Sequence, residues 1–213
     1  MTLIICHLYG NLMNTYGDNG NLLMLQYLAK EKGETVETDL VSLNDPFDPE
    51  AYDLVFFGGG QDYEQSLVAK DIQKKKAPLT QYIESGGVVV AICGGFQLLG
   101  HYYINAQHQR LEGLGAIDYY TETEANRLIG DIEIYNDRFD LSLKGYENHA
   151  GRTYLGPGVQ ALGQVQSGFG NNGQDQTEGC LYKNTFCSYF HGPLLVRNPQ
   201  LTDIIIDLAR SGK

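Results

Sequence analysis

No run of the sequence approaches the ~20 apolar residues that a membrane-spanning helix needs. No basic leader precedes the first apolar stretch, MTLIICHLYG, which is therefore expected to be a first strand and not a secretion signal. The four cysteines (Cys6, Cys93, Cys180 and Cys187) form no CxxC pair and have no histidine at zinc-site spacing. No metal is expected, and the cysteines read as reduced thiols in a cytoplasmic protein. Positive charge is scarce: 15 Lys and Arg stand against 26 Asp and Glu, a net charge of −11. Such a surface repels phosphate backbones and anionic lipid, which speaks against nucleic acid and membrane insertion. No GxxxxGK[ST] loop is present, so nothing reads as an ATP site. No Pro/Ser linker interrupts the chain, and residues 1–213 are expected to form a single domain. The hydrophobic fraction of 42% is enough for a core and excludes general disorder.

The first hundred residues alternate in character. LIICHLY (3–9), TVETDLVSL (35–43), DLVFF (53–57) and VVVAI (88–92) read as strands. NLLMLQYLAKEK, stopped by Gly33, reads as a helix, as do residues 62–73 and the LTQYIE segment bracketed by Pro78 and Ser85-Gly86-Gly87. Strands separated by helices predict an α/β fold with right-handed crossovers and a mostly parallel central sheet flanked by helices. After about residue 110 the segments GLGAIDYY, LIGDIEIYN, VQALGQVQ, GCLYK and TFCSYF are short and alternating, which predicts an antiparallel-rich second half. PQLTDIIIDLAR closes the chain as a helix with Pro199 in its first turn. Lys74-Lys75-Lys76 is expected to be a solvated helix end, and SGFGNNGQDQTEG (167–179) an exposed loop.

AICGGFQLLG (91–100) places a cysteine between a buried strand and a short helix, with two glycines directly after it. Cys93 is either a small packing residue or a nucleophile held up on a strained strand-to-helix elbow. The helix N-terminus behind it would favour the thiolate. A base is needed, and the candidates are His7, His101, His108, His149 and His191. His191 stands out in CSYFHGPLL because the strand ends there and Gly192-Pro193 breaks the chain. It is either a polar strand-end residue or a base in the crevice at the carboxyl ends of the strands. Gly58-Gly59-Gly60, following DLVFF, could bring backbone N–H groups of Gly59 and Gly60 to a small substrate. With the N–H of Gly94 they could form an oxyanion hole.

NTYGDNGN (14–21), FFGGGQDYEQ (56–65), AICGGFQLLG (91–100), LEGLGAIDYYTE (111–122), NRLIGDI (126–132), GYENHAGRTYLG (145–156), GFGNNG (168–173) and YFHGP (189–193) together resemble the class I glutamine amidotransferases, specifically the cobyric-acid-synthase-like branch. Within it the motifs are most similar to glutaminase subunits that serve peptidoglycan synthesis. The resemblance implies that Cys93 attacks the carboxamide of L-glutamine and that His191 moves the proton. It implies substrate contacts from Gln97, Arg127 and His149, the last through a GYE-x-H pattern that also contains Glu147. Read only as residues, Gln97 is equally a polar helix position, Arg127 a surface ion-pair partner, and Glu147 and His149 turn-stabilising groups. NTYGDNGN is equally a helix N-terminal cap in which Asp18 or Asn19 satisfies free N–H groups. The implied partner is a Mur-ligase-like, ATP-dependent (MurT-like) subunit in a heterodimer, amidating D-glutamate of the lipid II stem peptide; no cofactor is implied. One departure matters. Many class I enzymes carry an acid two residues after the histidine, where this chain has Pro193, so a Cys93–His191 dyad is expected and what orients the imidazole stays open. The alternatives are a cobyric-acid-type subunit with another acceptor, an unrelated elbow-cysteine hydrolase, and a catalytically silent regulatory module.

Overall fold

The computed structural model describes residues 2–212, the side chain of Tyr16 apart. The first half runs β1 (Thr2–Leu8), α1 (Asn19–Glu31), β2 (Thr35–Val41), β3 (Leu54–Phe57), α2 (Asp62–Ile72), α3 (Lys76–Glu84), β4 (Val88–Ile92) and α4 (Gly94–Leu99). The second half runs β5 (Tyr102–Ile104), β6 (Arg110–Glu112), β7 (Tyr119–Asn136), β8 (Leu141–Leu155), β9 (Gly163–Ser167), β10 (Thr177–Glu178), β11 (Cys180–Tyr182), β12 (Thr185–Ser188), β13 (Phe190–His191), α5 (Leu194–Arg197) and α6 (Pro199–Ser211).

One sheet has the order β11-β12-β4-β3-β1-β2. Its pairs from β12 to β2 are parallel, and β11 joins β12 antiparallel. The inner strands β1, β3 and β4 are largely apolar on both faces because helices cover both, while β2 at the edge is mostly exposed. Cys6, Leu8, Val55, Phe57, Val89 and Ala91 pack on the side that includes Val68, Ile72, Leu79 and Phe96 of α2, α3 and α4. Leu3, Ile5, Leu54, Phe56, Val88, Val90 and Ile92 pack on the side that includes Leu22 and Leu25 of α1 and Leu201 and Ile205 of α6. Burying such side chains contributes about 1.5–3 kcal/mol each, which explains continuous apolar runs where a half-exposed sheet would alternate.

The second half builds its own sheet around the long antiparallel pair β7–β8, with β9 and β10 beyond β7 and β13 paired to β8. The antiparallel-rich second half is therefore present, but TFCSYF divides its length between sheets. Thr185–Ser188 returns to the parallel sheet beside β4, while Phe190–His191 turns onto β8. GLGAIDYY is mostly loop, with β7 beginning only at Tyr119.

Two expectations about solvation are corrected. Lys75 is buried, its ammonium on Asp71 and over the Tyr9 ring, so only its neighbours form the solvated helix end. Asp71 also accepts from Tyr9 Oη at 2.9 Å and Asn44 N at 3.1 Å, which supplies the donors its buried carboxylate requires beside the ammonium. Within 167–179, Asn171 and Asn172 are buried because their side chains replace missing sheet hydrogen bonds. Asn171 accepts from Gly179 N at 2.8 Å and donates to Gly179 O at 2.9 Å.

Candidate active site

The site begins where β4 stops. Cys93 has φ 49° and ψ −101°, a positive φ outside the regions an L side chain normally adopts. A residue so placed costs roughly 1–3 kcal/mol and persists only when its surroundings hold it. Here Cys93 N donates to Ser188 O at 2.9 Å, Gln97 N donates to Cys93 O at 2.9 Å, and Gly95 N donates to Gly58 O at 3.1 Å. The glycines after the cysteine are required by contact with the neighbouring strand's exit. A Cβ on Gly95 would lie 2.4 Å from Phe57 O, and one on Gly94 would lie 2.9 Å from Gly60 N. Gly95→Ala is expected to cost about 1–3 kcal/mol, typical of an overpacked site, seen as a lower urea midpoint with an unchanged slope. An unchanged midpoint would contradict this packing.

His191 reaches the elbow because β12 lies parallel to β4 with Ser188 opposite Ile92, so both chains leave the sheet side by side. The imidazole is buried beside the Cys93 thiol, and its Nδ1 lies 3.4 Å from Asp18 Oδ1. Asp18 stands just before α1, at the exit of β1, and is fully buried. Its second oxygen accepts the Gly59 N–H at 2.6 Å. Burial alone would lower the His191 pKa, but Asp18 and Cys93 together raise it to about 10. The acid missing after His191 in the sequence is therefore supplied from the other end of the chain.

This arrangement revises two expectations. Asp18 is not a capping side chain; Asn14 Oδ1 takes the Asn19 N–H instead, at 2.9 Å. Gly59, expected as an oxyanion donor, spends its N–H on the Asp18 carboxylate, a stronger acceptor than a carbonyl oxygen. Gly60 and Gly94 face one another across the elbow, and among the described residues no acceptor takes either N–H.

A cavity of about 460 Å³ opens over Cys93, walled by Gly60, Gln97, Arg127 and His149 among others. Gln97 is buried, its Oε1 accepting from Gln65 Nε2 at 2.8 Å and its Nε2 donating to Tyr189 Oη at 3.4 Å. Arg127 lies where the β7–β8 register breaks between Thr123 and Leu128. Asn148 orients its guanidinium, accepting from Nε at 2.9 Å through Oδ1 and from Nη2 at 2.8 Å through its carbonyl. Arg152, not singled out from the sequence, fastens this bulge by donating to Asn126 O at 2.6 Å and Ala150 O at 2.9 Å. His149 donates Nδ1–H to Gly151 O at 2.7 Å and stacks on Tyr189, ring centroids 3.7 Å apart. Burial pulls its pKa below the ordinary value, so it stays neutral. Glu147 does not wall the cavity; its carboxylate accepts Phe169 N and Gly170 N at 2.7 and 2.9 Å. His7 lies within β1 and His101 pairs with Asp118, so neither shares the cavity wall.

Behind the histidine, Glu178 accepts the Tyr189 N–H at 2.6 Å, and burial pushes its carboxyl up to about 8. The native state thus binds a proton that the unfolded chain releases above its ordinary carboxyl pKa of 4.5. Stability should fall as pH rises from 4.5 to about 8, by at most ~1.4 kcal/mol per pH unit. Glu178→Gln should remove that part of the slope in a Tm-against-pH series; parallel curves would contradict the assignment.

A parallel sheet, an elbow cysteine and a buried Asp–His pair occur in several hydrolase families, and comparison with known proteins decides among them. A model of the CobB/CobQ-like glutamine amidotransferase domain matches residues 4–199. The chain belongs to the CobB/CobQ-like glutamine amidotransferase family. Within that family it is 55% identical over 212 residues to the GatD subunit of the glutamine-hydrolyzing lipid II isoglutaminyl synthase of Streptococcus pneumoniae (strain ATCC BAA-255 / R6), covering 99% of this chain and 82% of that one. To the GatD subunit of Staphylococcus aureus (strain N315) it is 42% identical over 207 residues, covering 97% and 84%. A crystal structure described as a glutamine amidotransferase superposes with a TM-score of 0.63 at 16% identity, covering 96% of this chain and 98% of the other. That likeness speaks to the glutamine amidotransferase fold, which agrees with the expected α/β class.

Proposed function

We propose that this chain is the glutaminase subunit of a lipid II amidating complex, its residues acting as a single domain. The carrying observation is the strained Cys93 beside a His191 held by Asp18, under a cavity that presents Gln97 and Arg127. Relatives named as subunits of a glutamine-hydrolyzing lipid II isoglutaminyl synthase support the substrate and the destination of the ammonia.

Cys93 Sγ attacks the carboxamide carbon of L-glutamine while Arg127 grips the α-carboxylate with the edge of its guanidinium that Asn148 leaves open. The developing oxyanion meets the N–H groups of Gly60 and Gly94. His191 passes its proton to the departing ammonia, leaving a glutamyl thioester. Water, deprotonated by His191, then releases glutamate. Asp18 holds the ring in position through both steps. Gln97, fixed by Gln65 and Tyr189, and His149, fixed by Gly151, form the wall against which the substrate rests. The ammonia passes to a Mur-ligase-like, ATP-dependent (MurT-like) subunit that amidates D-glutamate of the stem peptide. No helix among the described residues is long and apolar enough to cross a membrane, and we place the reaction in the cytoplasm.

The test is glutamate release from L-glutamine by the chain with such a partner, ATP and lipid II. Stoichiometric glutamate and amidated lipid II are expected. Amidation that consumes no glutamine would contradict the proposal.

A further inference from the structure

Among the residues that wall the cavity over Cys93, two carry a formal charge: Arg127 and Asp62. Asp62 opens α2, immediately beyond the glycine run that passes the elbow. Among the described residues one hydrogen bond reaches its carboxylate, from Tyr103 Oη to Oδ1 at 3.5 Å. Thr123 Oγ1 donates to the same Tyr103 oxygen at 3.0 Å, which turns the phenol's own proton toward Asp62. Burial pushes the Tyr103 pKa up to about 12, so it stays a donor. Tyr103 therefore ties Asp62 to Thr123, at the edge of the same bulge in β7 that carries Arg127. Most of the acceptor capacity of Asp62 is left for something in the cavity.

A lone carboxylate and a lone guanidinium on one small cavity wall are the complement of a zwitterion. An α-amino acid carries one ammonium and one carboxylate on a single carbon. A simple acyl amide carries neither, and a dicarboxylic monoamide carries only the carboxylate. We propose that Asp62 receives the α-ammonium of the amino-acid substrate and, with Arg127, sets selectivity for an α-amino acid over other primary amides. This rests on the reading of the chain as a glutaminase. Asp62 is remote in sequence from the catalytic motif, and as the first residue of a helix its acidic side chain reads from sequence as a favourable dipole partner only.

A charge-assisted hydrogen bond contributes about 1.5–3 kcal/mol, a factor of about 10 to 150 in kcat/KM. Three substrates separate the possibilities: L-glutamine, glutaramate (glutamine without its α-amino group) and 4-aminobutanamide (without its α-carboxylate). Ammonia release is measured for the wild type, Asp62→Asn and Arg127→Ala, in each case with the ammonia-using partner subunit present. The wild type should prefer L-glutamine to glutaramate by about 10- to 150-fold. Asp62→Asn should raise KM for L-glutamine by a similar factor with kcat nearly unchanged, and should leave glutaramate hydrolysis as it was. Arg127→Ala should instead lose discrimination against 4-aminobutanamide. Asp62→Ser, which keeps a polar residue at the helix start, repeats the test if the asparagine variant folds poorly.

Equal losses on L-glutamine and glutaramate, or no change on either, would overturn the role of Asp62 while leaving the glutaminase reading intact. A wild type that releases ammonia from none of the three would overturn that reading, and this inference with it.

Discussion

Cys93→Ala is expected to release no glutamate from L-glutamine above background, a loss of at least about 10⁴-fold. The thiol is the one nucleophile standing on the elbow, and its absence leaves only positioning and the oxyanion donors. The variant should fold as well as the parent, since Ala at φ 49° meets the same backbone cost and the surrounding hydrogen bonds are made by main-chain atoms. Because ammonia is the only product passed on, the assembled complex carrying Cys93→Ala should still amidate its acceptor when supplied with an ammonium salt. A silent regulatory module behaves differently, keeping glutamine-dependent amidation without the thiol. Paired assays with glutamine and with ammonium as nitrogen donor check both statements in one experiment.

Asp18→Asn should lower kcat for glutamine hydrolysis by about 10²–10⁴-fold. The substituted amide can still accept the Gly59 N–H through its oxygen, but then turns its NH₂ toward His191 Nδ1. That nitrogen becomes an acceptor, and the ring is held in the tautomer whose other nitrogen already carries a proton and cannot accept one from Cys93 or from water. The pH profile carries a second signature. The folded-state pKa of His191 is raised above 6.5 to about 10, so the proton is held throughout the neutral range and lost as pH rises through about 10. The wild type should therefore show an alkaline limb in kcat/KM near that value. Removing the Asp18 charge takes away one raising influence and leaves burial, which lowers, so the limb should move to lower pH. The same linkage makes the interaction stabilising at and below pH 6.5 and progressively lost toward pH 10. A profile that Asp18→Asn leaves in place would show that the carboxylate does not act on the ring.

The elbow and the central sheet are legible in the sequence because buried parallel strands appear as unbroken runs such as VVVAI, followed by Cys93 and two glycines, and LVFF, followed by three. The return of Thr185–Ser188 to that sheet is not, since TFCS has the composition of the antiparallel segments around it. What assigns it is the register with β4, a long-range property. Asp18 is hidden for a related reason. DNG before a periodic run has the composition of a helix cap, and only the convergence of the ends of β1, β3, β4 and β12 reveals that the β1–α1 loop faces His191. A carboxylate in the first strand-to-helix loop of an open α/β sheet is the signal that could have exposed it. Lys75 follows the same logic: four residues after Asp71 it has a helical partner in sequence, but the Tyr9 contact that buries both comes from the turn after β1. The glycines show the limit most plainly. GGG at 58–60 advertises close backbone approach, yet whether an N–H serves the substrate or a carboxylate depends on a side chain forty-one residues away.

A covalent bond between the substrate's acyl group and Cys93 is the most direct mark of this chemistry. The chain, assembled with its ammonia-using partner, is mixed with L-glutamine, quenched in acid during turnover, and peptide-mapped by mass spectrometry. A glutamyl adduct confined to the peptide bearing Cys93, and missing from Cys93→Ala, is the predicted result. Continued glutamate release with no adduct at Cys93, or with the adduct on another residue, would contradict it.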